Sequence, residues 1–75
     1  MSYVRRNEYR AVLAHIEKTA QTCRPGDEAR AWEQAANTYY ALALVFAGDK
    51  DRHDECWNLY RQADQMAADY RRRAA

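Results

Sequence analysis

Three stretches of the chain carry apolar residues at helical spacing, and their apolar faces differ in width. In the first, Tyr9, Val12, Leu13, Ile16 and Ala20 recur every three or four positions, with Arg5, Arg6, Arg10, Glu17 and Lys18 outside the stripe. That period stacks the apolar side chains along one side of an α-helix. The third stretch repeats it with Cys56, Tyr60, Ala63, Ala67 and Tyr70, broadened by Trp57, Leu59 and Met66. The middle stretch is different. Ala29, Trp32, Ala36, Tyr39, Ala43 and Phe46 fall on one line, and Tyr40, Leu44 and Ala47 fall on a second line about 100° away. Its segment YYALALVFA, Tyr39 to Ala47, contains neither a charge nor an amide side chain.

The interruptions are CRPGD at Cys23 to Asp27 and AGDKD at Ala47 to Asp51. In the first, Pro25 and Gly26 break one helix and Asp27 is placed to cap the next. In the second, Gly48 suits the C′ position and Asp49 or Asp51 the following cap. The pattern therefore predicts an all-α single domain over residues 1–75, with helices near 3–22, 28–47 and 51–72. Short connections favour antiparallel neighbours, so the expected architecture is an up-down-up three-helix bundle. No period-two alternation of β-branched residues predicts a strand.

A helix apolar on nearly every side needs cover on every side, and two flanking helices with narrow stripes supply only part of it. Two outcomes follow. Either the three helices wrap closely enough to enclose the middle one, or Tyr40, Leu44, Val45, Trp57 and Leu59 form a surface that another protein or a second copy covers. A chain of 75 residues buries only about 60% of its unfolded surface, which leaves association energetically welcome. A homodimer is the expected assembly.

Charge narrows the function classes. Twelve Lys and Arg against eleven Asp and Glu leave a net charge of +1, too little for the broad field of a nucleic-acid-binding domain. The arginines are nevertheless clustered: Arg5, Arg6 and Arg10 at one end, Arg71, Arg72 and Arg73 at the other. The last three complement a helix C-terminus, whereas Arg5 and Arg6 lie at an N-terminus, where cations are disfavoured. Nucleic-acid binding through Arg5, Arg6, Arg71, Arg72 and Arg73 is the alternative function, although an up-down-up bundle sets these clusters at opposite poles. No apolar run reaches the roughly 20 residues of a membrane span. MSYVRRNEYR lacks the apolar core of a secretory signal, and two cysteines make no disulfide framework, so a cytoplasmic protein with free thiols is expected.

No catalytic constellation stands out, and an enzyme is not expected. His53 and Cys56 share a helical face and, with His15 and Cys23, offer zinc donors, but no Cys-x-x-Cys pair accompanies them. Cys56 lies on the apolar stripe and reads as a small hydrophobe. The acidic group Asp49, Asp51, Asp54 and Glu55 complements a helix start. Neither cofactor, metal nor small-molecule substrate is expected.

Two resemblances extend this reading. The segment AANTYYALALVFAGD followed by DECWNLYRQADQMA places Ala36, Ala43, Cys56 and Ala63 at close-packing positions around a Gly-Asp turn, and it resembles a tetratricopeptide-repeat helix pair. Tyr9-Arg10, Ile16-Glu17, Gly26-Asp27, Ala29-x-x-Trp32-x-x-Ala35 and Trp57-x-x-x-Arg61, in that order, are similar to the small ANR proteins, bacterial negative regulators of AraC-type activators, and to the PerC-like regulators. The second resemblance implies a short helical oligomer that acts by binding another regulatory protein.

Overall fold

The computed structural model describes residues 6–74, with side chains from Glu8 onward. It contains three helices: α1 (Arg6–Gln21), α2 (Glu28–Val45) and α3 (Lys50–Ala74). Among the described residues there is no strand. The arrangement is the expected up-down-up bundle. Glu33 near the start of α2 meets Arg71 near the end of α3, and Ala43 near the end of α2 meets His53 near the start of α3. At the opposite edge, Tyr9 of α1 reaches Phe46 just beyond α2 and Glu55 early in α3, so α1 and α3 run parallel.

Small side chains set the packing. Ala36 and Ala43 of α2 and Cys56, Ala63 and Ala67 of α3 are all essentially buried, and the two helices lie together along most of their length. Residues of this size let helix axes approach to the short end of the usual 8–10 Å range. Helix α1 packs on α2 through Tyr9, Leu13, Ile16 and Ala20. Among the described residues, no Cα of α1 comes within 8 Å of α3, so the bundle is open along that side. The molecule measures 45 × 18 × 14 Å, with the 25-residue α3 as its spine.

The helix ends show which local signals act. Gly26 has φ 94°, a conformation that strains any residue with a Cβ, and its N–H donates to Glu28 Oε1 at 2.7 Å. Asp27 occupies the N-cap of α2, but its side chain makes no capping bond; the neighbouring Glu28 carboxylate does the local work. At the second turn α2 ends at Val45, two residues before the expected limit, because Ala47 N–H donates to Leu44 in a tighter i to i−3 bond. The C-cap is Phe46, so Gly48 is not the C′ residue, and its φ is not positive. Of the two expected caps for α3, Asp49 is used: Oδ1 accepts from Arg52 N–H at 3.3 Å and Oδ2 from the Arg52 guanidinium at 2.8 Å.

Candidate protein-interaction surfaces

The charge-free half of α2 is not wrapped by its neighbours. Tyr39 and Ala43 turn inward, while Tyr40, Leu44 and Val45 remain 43%, 59% and 70% exposed. Consecutive helical residues diverge by about 100°, which divides this surface into two flanks. Tyr40 and Leu44, one turn apart, lie on the α3 side. Val45 lies on the α1 side. There His15 and Ile16 of α1 face Ala35 and Thr38 of α2 across a shallow cleft. One turn towards the start of α1 stands Val12, which is 42% exposed. Its expected place in the α1 core stripe is therefore corrected: at about 60° from Tyr9 around the helix, Val12 is at the edge of the face that α2 covers.

On the α3 flank the aromatic rings gather. Tyr40 packs on Trp57 (ring centroids 5.9 Å) and on Tyr60 (5.5 Å), and Trp57 packs on Tyr60 at 5.3 Å. His53 stacks on Trp57, and its Nδ1 donates to the Ala43 carbonyl at 2.7 Å, since a carbonyl only accepts. That bond satisfies one of the unpaired carbonyls near the end of α2. Arg61 lies over the Trp57 ring, 5.7 Å from its centroid. Trp57 is thus half-buried, clamped by its neighbours with one edge in solvent.

Leu59 does not belong to this surface. Two positions after Trp57, it points about 200° away around α3, towards α1. There it lines an open groove of about 600 Å³ between α1 and α3, floored by Trp32 and Tyr39 and walled by Ala63 and Met66. Of the five expected interface residues, Tyr40, Leu44 and Trp57 come together, Val45 sits across the crest of α2, and Leu59 is in a separate groove.

The start of α1 and the last turn of α3, where the arginines gather in the sequence, are also separated. Arg5 lies outside the described residues, as does the side chain of Arg6, while α1 begins at the same end as α3. Arg71 pairs with Glu33 and Arg72 with Asp69, and Arg73 lies over the Tyr70 ring at 5.1 Å, all at the other end. Among the described residues, no three His, Cys, Asp or Glu side chains gather as a metal-binding group, and no helix is long and apolar enough to cross a membrane.

Periodicity missed one polar cluster. The Tyr9 hydroxyl donates to Glu55 Oε1 at 2.6 Å and lies 3.6 Å from Cys56 Sγ, while Arg10 donates to Glu55 Oε2 at 2.9 Å. These bonds tie α1 to α3 where their backbones stay apart. Burial, with the Glu55 bond adding to it, raises the Tyr9 phenol well above its ordinary range. The Tyr9 bond, helped by Arg10, holds the Glu55 carboxyl below the usual carboxylate value against the opposing effect of burial. Burial likewise raises the Cys56 thiol, which leaves it protonated and a poor nucleophile. Tyr9-Arg10 was visible as a dipeptide, but nothing in a single sequence pairs it with Glu55.

Compared with known proteins, the chain matches no family model, no curated protein and no solved structure.

Proposed function

We propose that this protein is a non-enzymatic interaction module, a small bacterial or phage regulator that binds and modulates another protein and self-associates as a homodimer. The observation that carries the reading is the exposed apolar end of α2. From Gln34 to Gly48 no residue bears a formal charge, and Tyr40, Leu44 and Val45 face solvent within that span. Burying each against a partner contributes about 1.5–3 kcal/mol by area, less for the part already covered. A core built largely of alanine has little to spare, so such an interface is a substantial fraction of the folded margin. The regulatory part of the reading leans on the resemblance to the ANR proteins. Nucleic-acid binding through the terminal arginines has less behind it, because Arg71 and Arg72 are engaged in ion pairs and the start of α1 lies at the opposite end from the last turn of α3.

Sedimentation tests the association. Wild type at tens of micromolar is expected as a two-chain species and Leu44→Glu as a folded single chain. A wild-type protein that sediments as a monomer at that concentration refutes the homodimer.

A further inference from the structure

The shoulder formed by Trp57 continues along α3 as a stripe with an internal symmetry. Asp54, Trp57, Arg61, Asp64, Ala68 and Arg71 follow one another at spacings of three, four, three, four and three. That alternation keeps them in one row for about 25 Å of helix. The row lies beside α2, since Trp57 touches Tyr40 and Arg71 touches Glu33. All six are at the surface: Asp54, Arg61, Asp64 and Arg71 are exposed, Trp57 and Ala68 partly so. Among the described residues Asp54, Arg61 and Asp64 take part in no ion pair, and the Arg71–Glu33 pair is open to solvent on both sides.

From its N-terminal end the row is an acid, a position of contrasting size and a base, then the same again; from the other end every charge is inverted. Reversed and laid against itself about an axis between Arg61 and Asp64, it sets Arg61 against Asp64, Asp54 against Arg71 and the bulky Trp57 against the small Ala68. Each match occurs twice by symmetry. A parallel, in-register pairing instead sets every charge against its own kind and Trp57 against Trp57.

We infer that the second copy docks along this row, with two α3 helices antiparallel about a two-fold axis between Arg61 and Asp64. The inference rests on the self-association proposed above and specifies its geometry. A two-fold contact is self-complementary by necessity, and a row whose charges invert on reversal meets that requirement. The apolar shoulder of Tyr40 and Leu44 then flanks the Trp57–Ala68 contact at each end. Opposite charges fix the direction and register of pairing more than they add affinity.

Two variants test it, neither of which touches the core. Arg61→Glu leaves both central positions acidic, and Asp64→Arg leaves both basic. Each alone sets like charges against like across the axis and is expected to weaken self-association at least about tenfold. An equimolar mixture of the two is expected to form mixed dimers near wild-type strength, because each basic pair meets an acidic one. Circular dichroism confirms that each variant remains helical. A second measurement reads the register without charge changes. In a Cys23→Ser background, chains with Asp54→Cys are expected to form an oxidised mixed disulfide with chains carrying Arg71→Cys, and neither to link to itself. If wild type is monomeric, the self-association reading fails and this geometry with it. If wild type dimerises and Leu44→Glu does not, but the single charge variants still dimerise or their mixture fails to recover, the antiparallel row alone is overturned.

Discussion

Replacing Tyr9 by Phe removes one oxygen and leaves the ring in place, which makes it a clean probe of how α1 is held. The ring is 3% exposed, meets Phe46 edge-on at 5.3 Å and lies beneath Arg52 at 5.2 Å, and none of these contacts needs the hydroxyl. The hydroxyl's partner is an ionised carboxylate, and hydrogen bonds to charged groups contribute about 1.5–3 kcal/mol. The Glu55 side chain is 35% exposed and keeps Arg10 as a second partner, so the lower figure applies, about 1.5 kcal/mol. For a domain of this size that corresponds to a melting temperature about 6–12 °C lower.

The pH dependence separates this bond from general packing. Because the Glu55 carboxyl is held below its ordinary value, its contribution is present above the unfolded value of about 4.3 and is lost as pH falls through the lower folded value. Because the Tyr9 phenol is raised, its contribution is complete below about pH 10 and declines as pH rises beyond it, where the unfolded chain ionises first. The stability difference between wild type and Tyr9→Phe is therefore expected to be widest across neutral pH and to narrow towards both extremes. Urea unfolding followed by circular dichroism at fixed low protein concentration, from pH 3 to above 10, measures it. A difference that stays constant from neutral to acid, or that is absent at neutral pH, refutes the assignment of the Tyr9–Glu55 bond as the tie between α1 and α3.

Thiol chemistry should divide the cysteines. Half-buried Cys23 is expected to react with a colorimetric disulfide reagent in the folded protein, whereas Cys56, fully enclosed and with its thiol raised by burial, reacts only in denaturant; prompt titration of both thiols contradicts the packing of α3 on α2. At the first turn, Gly26→Ala meets no atom within 4 Å of the added Cβ, yet φ 94° strains it, so a loss of about 1–2 kcal/mol is expected in urea unfolding, and an unchanged midpoint would show that the turn relaxes.

The bundle was legible because its signals are local. Apolar spacing marks each helix, and Pro25, Gly26 and Asp49 mark where the chain turns, so the three elements emerge within a few residues of their observed limits. At the second turn the ends moved for local reasons: the tightened bond from Ala47 to Leu44 shortens α2, and the Asp49 carboxylate starts α3 one residue earlier than expected. The excess apolar perimeter of α2 was also legible, since width around a helix is a property of one segment. Of the two outcomes that width left open, the structure shows exposure of Tyr40, Leu44 and Val45.

What escaped was which neighbour each flank meets. Periodicity places Trp57 and Leu59 on one broad stripe, but the stripe is split by the line along which α2 docks, and the two residues end on opposite sides of it. The same limit hid the bond from Tyr9 to Glu55, 46 positions apart. It also determines where the open surfaces lie. Alanine and cysteine draw α2 against α3 so closely that large side chains are displaced to the two edges of the contact. Tyr40 and Trp57 fill one edge, and Leu59 and Met66 the other. Helix α1 partly covers the second edge while its backbone stays apart from that of α3, and among the described residues no helix covers the first. The uncovered edge therefore follows from the small residues that make the hairpin tight.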